Sequence, residues 1–188
     1  MALGATPAQT VGPFFAVALP LPLGPALIPP GDPRAIRLHG EVRDGAGDPV
    51  PDAMLEIWQA NHHGRYRHPT DGRTLPLDPA FTGFGRSDTD SDGAYWFETI
   101  KPGRVPFDEY RLQAPHICVA VFARGLLNHA FTRLYFADDP ANADDPILQL
   151  APAVRRATLL ARRADDEGAV YHFEIVLQGA GETVFFNL

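Results

Sequence analysis

The chain has one cysteine, one lysine and no apolar run long enough to cross a bilayer, and each scarcity excludes something. Cys118 has no second thiol with which to close a disulfide, so nothing calls for an oxidising compartment. The apolar stretch 14–28 is cut by Pro20, Pro22 and Pro25 and follows no basic segment, which argues against a membrane span or signal peptide. The cytoplasm is therefore the default compartment. With Lys101 the only lysine and a formal net charge of -7, there is no cationic run to displace counterions from a phosphate backbone, and no nucleic-acid partner is expected. A Gly-x-Ser-x-Gly elbow, a Cys-x-x-Cys pair and a phosphate-cradling glycine loop are all missing, so hydrolase, dithiol and nucleotide chemistries have no support.

What is present suits short strands. The 188 residues are 45% hydrophobic, enough for one buried core and a single domain over 1–188. Nineteen prolines and 17 glycines, scattered between short apolar runs, break the chain too often for long helices. The expectation is an all-β protein: an antiparallel β-sandwich over 34–188, with long loops, behind an extended arm over 1–33. The arm's Phe14, Phe15, Leu19, Leu21 and Leu23 need a docking surface, because each such side chain gains roughly 1.5–3 kcal/mol on full burial. Alternation predicts strands over 36–43, 53–60, 95–100, 116–123, 132–136 and 171–177. Helical spacing of Val154, Ala157, Leu160 and Ala161 predicts a short surface helix over 152–163, and 61–90 reads as one long irregular excursion of functional character.

Three local clusters invite chemistry. Asp88, Asp90, Asp92 and Gly93 start like a calcium loop, but position twelve is Thr99 and not a bidentate carboxylate, so a turn is the better reading. His62, His63 and His68 are close in sequence without a spaced partner set, which suits solvated loop histidines; neighbours in an extended segment should point apart. Cys118 sits in an apolar run, where a thiol behaves as a small buried hydrophobe.

Longer motifs carry more. Leu55-Glu56-Ile57-Trp58-Gln59-Ala60-Asn61 leads to Gly64-Arg65-Tyr66-Arg67-His68; Gly85-Arg86 to Gly93 and Thr99-Ile100-Lys101-Pro102-Gly103 follow, then Ala114-Pro115-His116-Ile117. In that order they resemble the intradiol ring-cleavage dioxygenases. Thr10-Val11-Gly12-Pro13-Phe14, Phe122-Ala123-Arg124-Gly125, Thr132-Arg133-Leu134-Tyr135-Phe136 and Gly181-Glu182-Thr183-Val184-Phe185-Phe186 are similar to the α-type chains of those members built from two homologous chains.

The resemblance implies a non-haem Fe(III) held by two tyrosines and two histidines, which activates a bound catecholate for attack by O2. Carried across, the first tyrosine corresponds to Tyr66 and the first histidine to His116; the second histidine corresponds to Cys118 and the second tyrosine to Val105. Valine has no lone pair and a thiol is a soft ligand, so the set is vestigial: no metal is expected in this chain, and the Fe(III) is expected in a homologous β chain. Tyr110 is a remote substitute for the missing phenolate. By the same resemblance, Thr10, Gly12, Pro13 and Phe14 would wall the β chain's substrate pocket, and Arg133 would supply a guanidinium for the carboxylate of protocatechuate, which planar paired donors suit. Phe14 stands where tyrosine is more usual, which leaves that wall apolar. The plainer reading of Arg133 is a solvated strand residue. The implied activity is intradiol opening of protocatechuate by O2 to 3-carboxy-cis,cis-muconate in a higher-order αβ oligomer. The alternatives are a homomeric dioxygenase with rearranged ligands, and a non-catalytic β-sandwich carrier or self-associating binding module.

Overall fold

The structure, a computed structural model, describes residues 14, 18–21, 24–164 and 169–187. Nine strands follow in order: β1 (Ala35–Arg43), β2 (Met54–Trp58), β3 (Phe84–Asp88), β4 (Ala94–Ile100), β5 (His116–Phe122), β6 (Ala130–Phe136), β7 (Leu160–Arg163), β8 (Val170–His172) and β9 (Ile175–Val176). Short 3-10 turns at Pro140–Asp144, Leu148–Leu150 and Ala153–Leu159 separate β6 from β7. Among the described residues no helix is long and apolar enough to cross a membrane.

The protein is mostly β, as composition predicts, but its strands are not all antiparallel as expected for the sandwich. The strands form one curled sheet in the order β3-β2-β5-β6-β7-β8-β1-β4, with β9 also paired to β1. That sheet is mixed: β1 runs parallel to β8 and β9, and β6 runs parallel to β7. Its end strands, β3 and β4, come round to meet each other.

Each of the six expected strands is present, and 171–177 divides into β8 and β9. Two strands escaped the pattern reading. β3 lies inside the supposed 61–90 excursion, and small residues, Gly85 and Ser87, take its inward places, so apolar alternation is silent there. The expected helix over 152–163 is a 3-10 turn followed by β7, because Leu160 and Ala161 are drawn into register with Tyr135 and Phe136. Tertiary pairing overrides helical spacing at that point.

Alternation directs the core. Leu38, Val42, Leu55, Ile57, Phe97, Ile117, Val119, Val121, Leu134 and Phe136 face inward, while Tyr135 faces a second cluster formed with Ala114, Leu148, Ala151 and Leu159. Part of the arm docks on the sheet: Ala26 bridges Glu98, and Leu27 and Ile28 are buried. Arg86 accepts the arm from the other side, its Nη1 donating to the Leu19 carbonyl at 2.8 Å. Phe14, Leu19 and Leu21 keep much of their surface exposed.

The calcium-like cluster is a turn between β3 and β4, in which Asp90 Oδ1 accepts from the N–H groups of Asp92 and Ala94 at 2.9 Å each. A side chain at Gly40 of β1 has no room, because an added Cβ would fall 1.8 Å from the Phe173 carbonyl oxygen. Gly40→Ala should therefore lower stability by about 3 kcal/mol, as forced overpacking against backbone does, read as a shift in urea midpoint at constant m-value.

Candidate functional site

The site grows from the register of three strands. β5 pairs with β2 and β6 so that Trp58, Cys118 and Arg133 form one row across the sheet, with His116 opposite Tyr135 in the next row of the same face. The period of two places His116 and Cys118 side by side, away from Ile117 and Val119 in the core. Tyr66 reaches this face from a loop and stacks on Trp58, with ring centroids 6.0 Å apart and planes 12° from parallel.

Buried amides hold that loop. Gln59 Nε2 donates to the Ile100 carbonyl at 2.9 Å, and its Oε1 accepts from the Thr99 hydroxyl at 2.8 Å. Asn61 Oδ1 accepts from the N–H groups of His63 and Arg65 at 3.0 Å each, while its Nδ2 donates to the Pro76 carbonyl at 2.8 Å. Gly64 adopts φ +77, and a Cβ there would lie 2.0 Å from the Arg104 carbonyl oxygen, so only glycine lets the turn press against 103–105. The Tyr66 N–H then donates to Asp71 at 2.9 Å.

Between these segments lies an open cleft of about 850 Å³, walled by Trp58, Tyr66, His68, Arg73, Val105 and Gln113. Of the sequence-predicted positions, Tyr66 and Val105 wall this cleft, while His116 and Cys118 lie on the β5 face with Arg133 opposite Cys118, and Tyr66 is near enough to interact with both Cys118 and Arg133. Thr10, Gly12 and Pro13 lie outside the described residues, and Phe14 is 71% exposed. Tyr110 is 86% exposed, far from a buried ligand's surroundings. The His62 and His63 rings lie only 3.8 Å apart, not on opposite sides as an extended segment would place them. Both are exposed, as is His68.

The residues present do not make the ferric ligand set that the resemblance implies. Val105 is buried and offers no donor atom. Burial, aided by the nearby Cys118, pushes the Tyr66 phenol up to about 12, and burial likewise raises the Cys118 thiol. The anionic ligand forms are therefore disfavoured. His116 Nδ1 is engaged with the Ala114 carbonyl at 2.8 Å, and burial followed by the charge of Arg133 presses its imidazole down to about 4. Among the described residues, no group of three or more His, Cys, Asp or Glu is placed to hold a metal ion. The charge of Arg133 acts on all three of Tyr66, His116 and Cys118.

Sequence reading missed several contributors. Trp58 was read only as part of a motif, and its stacking partner is set by tertiary contact. Gln113, three residues before His116, accepts from Arg133 Nη1 at 2.7 Å. Asp145, fully buried, receives the Tyr135 hydroxyl at 3.1 Å and the N–H groups of Ala114, Ile147 and Leu148 at 2.6–2.9 Å, which fixes the segment leading into β5.

Comparison with known proteins agrees with this geometry. The family model described as dioxygenase matches residues 11–179. The chain belongs to the intradiol ring-cleavage dioxygenases. Within that family it is similar, at 46% identity over 97% of both chains, to the protocatechuate 3,4-dioxygenase alpha chain of Burkholderia cepacia. It is 40% identical to the beta chain from the same organism, over 81% of this chain and 69% of that one. Among solved structures, the dioxygenase domain of a dioxygenase and carbohydrate-binding protein fusion from Streptomyces sp. SirexAA-E superposes with a TM-score of 0.64 at 28% identity, covering 94% of this chain and 100% of that chain.

The buried imidazole makes a pH prediction. An unfolded histidine titrates near 6.5, whereas His116 in the fold resists protonation down to about 4. Between those values the unfolded chain binds a proton that the folded chain refuses, so stability rises with pH across the window and is lost on acidification through it. Urea unfolding at pH 4 to 7 should show this slope, and His116→Gln should flatten it; equal slopes would remove His116 as its source.

Proposed function

We propose that this chain is the α subunit of a protocatechuate 3,4-dioxygenase, folded as one domain and assembled with a homologous iron-bearing β chain into a higher-order αβ oligomer. The observation that carries the reading is the pairing of a full-length likeness to an alpha chain with a ligand set that has lost two members, at Val105 and Cys118. A chain so built contributes walls, charge and assembly, and the Fe(III) belongs to the β chain. Bound there, the metal supplies activation of the catecholate toward O2, and both oxygen atoms enter 3-carboxy-cis,cis-muconate.

Arg133 is the substrate-binding cation. It is half-buried, and no carboxylate among the described residues is within ion-pair reach of it, so its charge is available to an aryl carboxylate. Guanidinium geometry suits a planar anion by paired donation. The arm residues Thr10, Gly12, Pro13 and Phe14 wall the partner's pocket, and the exposed ring of Phe14 is consistent with a surface completed by another chain.

Expressed alone, the chain should be colourless, low in iron and inactive in protocatechuate-dependent O2 uptake; produced with its β partner it should yield a coloured, active complex. Stoichiometric iron in the isolated chain would overturn the assignment, and inactivity beside an intact β chain would favour the self-associating carrier. In the assembled enzyme, Arg133→Ala should raise KM for protocatechuate by about ten- to a hundredfold, the worth of a hydrogen bond to a charged group, with a smaller change in kcat.

A further inference from the structure

Gln113 sits on the strand-like approach to β5, held by its backbone on both sides. Its N–H donates to the Val105 carbonyl at 2.8 Å, and its carbonyl accepts from Arg104 Nε at 3.2 Å. The side chain is equally constrained: Nε2 donates to the Pro106 carbonyl at 3.0 Å, and Oε1 accepts from Arg133 Nη1 at 2.7 Å. A guanidinium only donates and a carbonyl only accepts, so a single amide orientation satisfies both neighbours. The acceptor that holds Arg133 is therefore neutral. A carboxylate of the same shape would grip the guanidinium harder, but it would pair the charge that an incoming anion needs.

We propose that Gln113 is a positioning residue: it aims the Arg133 guanidinium from the wall of the cleft while leaving its charge unpaired, and so sets the preference for carboxylated over uncarboxylated aromatic ligands. This rests on the reading of Arg133 as the substrate-binding cation. An amide at 113 gives the guanidinium direction without neutralisation, which neither an aliphatic nor an acidic residue does. The same amide ties Arg133 to the hairpin of Val105 and Pro106, in which Pro106 bridges Leu112, so the place of the missing phenolate ligand braces the cation.

The test uses the enzyme assembled from this chain and its homologous β chain, with matched inhibitors: 4-hydroxybenzoate, which is anionic, and 4-hydroxybenzyl alcohol, which is neutral. Gln113→Glu should raise both KM for protocatechuate and the inhibition constant of 4-hydroxybenzoate about tenfold or more, as pairing of a half-buried cation predicts, with kcat within about twofold of the parent. The inhibition constant of the neutral alcohol should not move. Gln113→Ala, which releases the guanidinium without pairing it, should give a smaller rise in the same two constants. If Gln113→Glu does not assemble, Gln113→Ala decides alone, and the ratio of anionic to neutral inhibition constants must rise. Equal weakening of both inhibitors, or no weakening of either, would leave Gln113 a purely structural residue. Arg133→Ala separates the two readings: an unchanged KM there removes the role of Arg133 itself, whereas a raised KM there with parental constants in both Gln113 variants defeats the positioning role alone.

Discussion

A buried amide closes this sheet. Gln59 follows β2, near one end of the strand order, and bonds Thr99 and Ile100 at the close of β4, the other end. With no exposure to water, that amide has to find its partners within the protein, and an unmade bond there would carry a desolvation penalty of about 1–3 kcal/mol. The curl of the sheet supplies the partners. Two residues on, Asn61 extends the same logic: its carbonyl accepts from the Gly103 N–H at 2.9 Å, and its side chain caps the turn that presents Tyr66. The cleft exists because the ends of β2 and β4 are held together by satisfied polar groups, and loosening them would release both the Tyr66 loop and the Val105 segment.

On this scaffold the groups around the β5 face share one electrostatic tendency. Val105 offers no donor atom, burial raises the Tyr66 phenol and the Cys118 thiol toward their neutral forms, and burial with the charge of Arg133 presses the His116 imidazole toward neutrality. The guanidinium of Arg133 lies beside them, carried on β6 and held by a neutral acceptor. A fixed organic cation can bind an anion without the coordination chemistry a metal brings.

Much of this was legible in the residues. The strand patterns of β1, β4 and β5 follow from alternation, and His116 and Cys118 share a face because two residues is the period of a strand. Motif order singled out Tyr66, Val105, His116 and Cys118, and the fold sets the first two on the cleft wall and the last two on one face of β5. β3 was not legible, because Gly85 and Ser87 give no apolar signal where Leu27 and Ile57 supply the packing. β7 was not, because a helical repeat of apolar residues cannot announce that Leu160 and Ala161 will be claimed by the edge of β6.

The sequence by itself determined the mostly β class, the breaks between strands, and which side chains stand at 66, 105, 116, 118 and 133. Only the tertiary structure decided that the sheet is mixed, that it curls until β3 meets β4, and that Arg133 is held by Gln113 beside Cys118 and not by an acid. The physical reason is range. Alternation and turn residues act between neighbours along the chain, whereas strand order, a guanidinium's acceptor and a buried amide's partners depend on segments that become neighbours only when the core closes.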